Sequence, residues 1–392
     1  MISPPLQAED VSVEWLNESM AAHLGNAKIT GFGLDIIGVG EGFMGQLARV
    51  TLTTETQTVP DVIRTSHSVP TTIIAKFAAQ NEATREMARE QRYYHREIGF
   101  YQDIGQDVGI PTPDCYYAVH IEESNHFVLL LQDLTPSVPS DQVVGSSKQT
   151  SREVIENFAR LHATWWNSER LAGLDWAQPL FNTQPISEGL ELMNYSITQA
   201  EETGRFDRYP EMKRLMYLLP PLFRMAPPPP FPFTLSHGDL RSDNIFCHSD
   251  DGGGFAVIDW QLTGMGQPIT DIVRWMTQSI SIEDRRETEQ DLLRLYHNKL
   301  VEYGISDYSF KQMMQDYQLN LVLILVMFTM TMDDIDQSPE RAEALFHAMY
   351  SRLDAALIDW KVVNLLKVLP YLIPFLKLGV WFRSTFTRRN HG

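Results

Sequence analysis

Cysteine is nearly absent. The chain has 392 residues and two cysteines, Cys115 and Cys247, whose separation fits neither a disulfide framework nor a cysteine-ligated metal site. Basic charge is also in short supply. Thirty-two Lys and Arg stand against 50 Asp and Glu, a net charge of -18, the wrong sign for a nucleic-acid partner. The longest apolar run, Leu321 to Met332, falls short of the ~20 residues that cross a bilayer. No integral membrane span is expected, and this run should be a buried core helix. The opening M-I-S-P-P-L-Q-A-E-D lacks the basic region and apolar core of a secretory signal. Together with the scarcity of cysteine, that predicts a cytoplasmic protein. What the chain does have is the 43% hydrophobic and 21% charged composition of a folded protein, at a length that favours two lobes over one core.

The pattern along the chain changes character once. Residues 8–24 read as an amphipathic helix, followed by strands at 28–37, 46–54 and 72–77 and a loop at 55–70. A long helix is predicted over 82–104, then a hairpin of strands 115–121 and 126–131. From Thr150 the pattern is helical, opened by the capping-box sequence T150-S-R-E153. The run A226-P-P-P-P-F-P reads as a stiff spacer. The expected fold class is α+β, with a small antiparallel-sheet lobe carrying one long helix (residues 1–132) and a larger, mainly helical lobe (133–392).

The segment H237-G-D-L-R-S-D-N244, followed by V257-I-D-W260, carries the chemistry. Phosphoryl transfer asks a protein mainly for positioning and charge neutralisation. Asp239 is spaced to accept a proton from a substrate hydroxyl, and Asn244 and Asp259 to hold Mg²⁺ on nucleotide phosphates. Asp and Asn also serve ordinary turns. An Asp closing a buried apolar strand nevertheless requires a partner or a metal.

These motifs resemble the aminoglycoside/choline-kinase-like phosphotransferases, and most closely their ecdysteroid-kinase-like branch. R96-E-I-G-F-Y101 and L161-H-A163 match two further helices of that branch, so the resemblance spans roughly residues 30 to 360. It implies a protein-kinase-like two-lobed fold, ATP and Mg²⁺ as cofactors, and a small hydroxylated molecule as acceptor.

G40-E-G-F-M-G45 precedes a β-branched, alternating stretch. That context suits a glycine-rich hairpin over phosphates, with Gly40, Gly42 and Gly45 close to them, better than a dinucleotide-binding turn. Lys76 interrupts the apolar strand I73-I-A-K-F77 and requires an acid or a phosphate. By the resemblance its partner is Glu97 rather than Glu82, Glu86 or Glu90. The stretch F127-V-L-L-L-Q-D-L134 resembles the hinge between lobes, where backbone groups of Gln132 and Leu134 would meet the adenine edge. The family commonly carries Glu where this chain has Gln132, and ATP versus GTP stays open.

Arg241 has two readings: it serves the transferring phosphoryl group, or it pairs with a neighbouring acid. Asp271 is expected to brace the catalytic loop, His237 to stabilise it, and His162 to be a bonded core histidine. Only eleven residues separate Asp259 from Asp271, too few for a peptide-binding activation segment. Helices at 184–224 and 283–358, with Met193, Tyr195, Met327, Phe328 and Met330, would shape a pocket for a lipophilic alcohol. A choline- or ethanolamine-type kinase and a catalytically silent binding module are the alternatives. The apolar tail 362–382 either packs on its lobe or anchors to an anionic membrane. Oligomeric state is left open.

Overall fold

The computed structural model describes residues 2–38, 45–56, 69–179, 186–220, 232–247, 254–330 and 339–367. Among them the chain forms two compact units. The first takes Met1–Pro139, Asn244–Thr263 and Ile335–Arg341, and the second Ser140–Asp243, Gly264–Asp334 and Ala342–Gly392.

The first unit opens with a 3₁₀ turn (Ala8–Asp10) and two short helices, α1 (Val13–Ser19) and α2 (Ala21–Leu24), in place of one helix over 8–24. The break before α1 follows from capping, because Ser12 accepts the Trp15 N–H and starts that helix afresh. Five antiparallel strands follow: β1 (Ala27–Ile37), β2 (Gly45–Thr56), β3 (Thr72–Ala78), β4 (Cys115–Ile121) and β5 (His126–Gln132), in the order β1-β2-β3-β5-β4. Alternation in β3 places Ile73, Ala75 and Phe77 in one buried cluster with Trp15, Leu16, Val50, Val128 and Leu130. Lys76 therefore faces the opposite side of the sheet. Each fully buried apolar side chain contributes about 1.5–3 kcal/mol.

The helix expected over 82–104 is in fact two, α3 (Glu82–Glu90) and α4 (Tyr93–Asp103), separated at Arg92, which adopts a left-handed φ of 58°. Neither Gly nor Pro marks the break. Packing imposes it, since α4 buries Tyr94, Glu97, Ile98, Phe100 and Tyr101 while α3 buries only Ala88.

In the second unit, α5 (Lys148–Thr164), α6 (Glu169–Ala172), α7 (Ile186–Thr203) and α8 (Pro210–Met216) precede strand β6 (Thr234–Ser236). The cap of α5 is Ser147, whose hydroxyl accepts the Thr150 N–H, so the helix starts earlier than the T150-S-R-E153 box predicts. Two short strands, β7 (Ile245–Phe246) and β8 (Ala256–Val257), pair within the first unit. β9 (Gly264–Gly266) pairs with β6 in the second. Then come α9 (Pro268–Gln278), α10 (Ile282–Glu302), α11 (Phe310–Met330) and α12 (Pro339–Asp359). Proline at the first position of α9 suits a helix start. The run at Leu321 is a core helix as expected, with Leu321, Ile324 and Leu325 fully buried. Among the described residues no helix is long and apolar enough to cross a membrane. Val362, Val363 and Leu366 are buried, whereas the tail from residue 368 on and the proline run 226–231 lie outside the described residues.

Candidate active site

In the first unit Lys76 and Glu97 meet. The ammonium of Lys76 lies 2.8 Å from Glu97 Oε1 and 2.8 Å from Oε2, and 2.9 Å from Asp259 Oδ1. Glu97 is 1% exposed. Burial, reinforced by the charge of Asp259, pushes its carboxyl up to about 7 against the pull of Lys76. Lys76 is itself held above its ordinary value: burial works against the charge, and the two acids outweigh it.

Asp259 and Asn244 are positioned by the β7–β8 ladder. Ile245 pairs with Val257, and the Asn244 carbonyl accepts the Ile258 N–H at 3.1 Å. Asn244 thus sits opposite Ile258, one residue from Asp259. Asp259 adopts a left-handed conformation (φ 64°, ψ 68°), uncommon for a residue with a side chain and frequent at functional sites. Its Oδ2 accepts from the Gln261 amide at 3.2 Å. The following Trp260 stacks flat on Phe100 of α4, with centroids 3.9 Å apart and planes 8° apart. Arg96 donates to the Thr263 carbonyl at 2.8 Å. These two contacts tie the helix bearing Glu97 to the segment bearing Asp259.

Gly45 meets a steric requirement: a Cβ there would come within 2.3 Å of the Phe77 carbonyl oxygen. Gly40 and Gly42 lie outside the described residues. At the end of β5 the Gln132 N–H donates to the Asp114 carbonyl at 2.8 Å, and the Leu134 carbonyl accepts from Ser137 at 2.9 Å. Asp133 between them accepts from Arg49 Nε at 2.8 Å.

The second unit holds the loop after β6. Asp271 of α9 is fully buried and accepts from Ser236 Oγ (2.9 Å), the His237 N–H (2.9 Å), the Gly238 N–H (3.0 Å) and His162 Nε2 (3.2 Å). Burial alone would raise its carboxyl, but these donors and the nearby imidazoles hold it below the usual range. It braces the loop through the backbone, as expected. His162 is a bonded core histidine, with Nδ1 2.7 Å from the Tyr296 hydroxyl. Gly238 has φ 79°, which favours glycine, and His237 Nδ1 accepts the Asp239 N–H at 3.2 Å. Asp239 is 7% exposed. Arg274 donates through Nη2 to Asp239 Oδ1 and through Nη1 to the Gly238 carbonyl at 2.9 Å. Arg241 Nε is 3.4 Å from Asp239 Oδ2, and its Nη1 is 3.8 Å from Asp243. Arg241 therefore pairs with neighbouring acids.

Sequence reading passed over Arg274, although its place three residues after Asp271 on one helix was a usable signal. It also passed over Gln142 and Arg352, which brace the loop by long-range contacts. Gln142 Oε1 accepts the Ser242 N–H at 2.7 Å, and Arg352 donates to the Gln142 carbonyl at 2.7 Å. Met193 and Phe328, expected near a pocket, are core residues, while Tyr195 is exposed. Met330's side chain lies outside the described set. Cys247 is half-buried. Cys115 is also half-buried, and burial pushes its thiol up to about 12.

Comparison with known proteins follows the same lines. The chain is 25% identical over 241 residues to an uncharacterized kinase-like protein of Caenorhabditis elegans, a match covering 57% of this chain and 61% of that one. It is 22% identical over 410 residues to an uncharacterized oxidoreductase of the same organism, covering 93% of this chain and 48% of that protein. The chain thus spans about half to three-fifths of the curated relatives it matches. A crystal structure from Ralstonia eutropha, described as an aminoglycoside phosphotransferase, shares its fold with a TM-score of 0.52 at 16% identity, over 90% of this chain and 98% of that one. The model of the ecdysteroid kinase-like family matches residues 39–306, and the chain belongs to that family.

Proposed function

We propose that the protein is an ATP- and Mg²⁺-dependent kinase that phosphorylates a hydroxyl of a small, lipophilic molecule. The observation that carries this reading is Lys76 held between Glu97 and Asp259 at 2.8 and 2.9 Å. A buried lysine shared by two acids, one of them in a left-handed conformation beside an asparagine, is the arrangement phosphate binding and metal binding call for. Lys76, aligned by Glu97, contacts the nucleotide phosphates. The Leu134 N–H makes no backbone bond among the described residues and is free to meet an adenine edge. The carboxylate of Asp259 and the amide oxygen of Asn244 are hard oxygen donors suited to Mg²⁺. When bound, that ion neutralises phosphate charge. Asp239, its carboxylate oriented by Arg274 and Arg241, accepts the proton of the acceptor hydroxyl.

The short stretch from Asp259 to Asp271 is filled by a 3₁₀ turn, β9 and the start of α9. That favours a small acceptor over a peptide. The family's description favours a lipophilic alcohol. The test is a ³²P-transfer screen over hydroxylated metabolites with ATP and Mg²⁺, read by mass spectrometry and paired with thermal shift. Transfer by the wild type, abolished in Asp259→Asn, supports the reading. The absence of any Mg-ATP-dependent thermal shift in the wild type overturns it.

A further inference from the structure

Away from the residues above, three metal-ligating side chains converge in the first unit: His95 on α4, His120 on β4 and Glu122 in the turn after β4. One donor atom from each lies within 4.8 Å of the other two. The two imidazoles are 6.0 Å apart between centroids, with their planes inclined by 63°.

The hydrogen bonds around His120 fix which nitrogen is available. Asn125, 3% exposed, donates its amide N–H to the Arg85 carbonyl at 2.6 Å. A carbonyl can only accept, so the amide orientation of Asn125 is set and its Oδ1 must accept. His120 Nε2, 3.0 Å from that oxygen, is therefore the donor. In the neutral ring the lone pair is then on Nδ1, which is buried and without a hydrogen-bond partner among the described residues. A buried acceptor left unpaired is costly. A histidine whose second nitrogen is anchored to an amide or carboxylate oxygen is also how metal-binding imidazoles are oriented.

We propose that His95, His120 and Glu122 bind a zinc-class divalent ion, with water in a fourth position. Two imidazoles and a carboxylate form a donor set of borderline softness, matched to Zn²⁺ and its first-row neighbours rather than to Mg²⁺ or Ca²⁺. Zinc–nitrogen bonds run about 2.0–2.1 Å, so the donors must draw closer than 4.8 Å. The exposed Glu122 can swing to do so. Binding through Nδ1 of the neutral ring requires no change of tautomer at His120. The ion would tie α4 to the β4–β5 hairpin two residues before Glu97.

The test uses the full chain, stripped of metal and titrated with Co²⁺, then with Zn²⁺ as competitor. The expected result is one equivalent of Co²⁺ with tetrahedral ligand-field bands that Zn²⁺ displaces, and a higher melting temperature in Zn²⁺. His120→Ala and His95→Ala should weaken binding more than tenfold. Asn125→Gly, which tolerates the φ of 49° at that position, should weaken it by about tenfold by releasing the anchored nitrogen. Glu122→Gln is a surface change that keeps the fold and should also weaken binding, while Asp259→Asn leaves the titration unchanged. No bands in the wild type, bands unchanged in both His120→Ala and Glu122→Gln, or loss of the bands in Asp259→Asn would each overturn the site.

Discussion

Two carboxylates share one lysine in the first unit, whereas in the second a single carboxylate, Asp239, is flanked by two arginines. The Lys76 cluster carries surplus negative charge when both acids are ionised. In the Asp239 loop Arg274 and Arg241 each face one oxygen of the acid, and Arg241 also approaches Asp243. A cluster short of positive charge is completed by a cation, and one with arginine on both oxygens holds its acid fixed in direction. In the function proposed above the two regions do different work, phosphate and metal in one case and a proton in the other. Their supports differ as well. The first relies on ring stacking and a two-rung ladder, the second on a buried acid that accepts from backbone.

Substitutions can break this contrast or sharpen it. The largest effect is expected for Asp259→Asn, which keeps a residue tolerant of the left-handed conformation. Transfer should fall about 10³-fold or more, the scale of charge-neutralising groups in phosphoryl transfer, and the Mg-ATP thermal shift should vanish. Asp239→Asn should lower turnover by about 10²–10⁴-fold while the nucleotide-induced shift persists. If both variants lose nucleotide binding alike, the division of labour is wrong. Asp271→Ala removes the acceptor for Ser236, His237 and Gly238 and should cost about 3–5 kcal/mol in urea unfolding. Gly45→Ala forces β2 away from β3 at the Phe77 carbonyl, with an expected loss of about 1–3 kcal/mol.

The smallest effect is a pH slope. The folded-state carboxyl of Glu97 is raised from 4.5 to about 7. Over that window the folded chain keeps a proton that the unfolded chain has released. Its contribution to stability is full below 4.5 and falls away as pH rises to about 7. Denaturation midpoints measured across this range should show that slope, flattened in Glu97→Gln.

Much of the architecture was legible because strands declare themselves by alternation. Lys76 stood out as the charge in an apolar strand, and Asp259 as the acid at the end of one. The break at Arg92 was not legible, because burial of one helix and exposure of the next imposes it without a breaking residue. Gln142 and Arg352 were invisible for a different cause: Gln142 meets the loop after β6 across a hundred residues, Arg352 meets Gln142 across 210, and no local spacing reports such contacts. The glycines Gly40 and Gly42 and most of the tail lie outside the described residues.

The flat pairing of Phe100 with Trp260 has a mechanical consequence. Rings in face-to-face register slide apart only by giving up their contact, so a tilt of α4 must carry the Asp259 segment along with it. The two acids that flank Lys76 are thereby geared together. A shift of the helix that withdraws one of them from the ammonium drags the other, and Lys76 gains or loses both partners in a single motion.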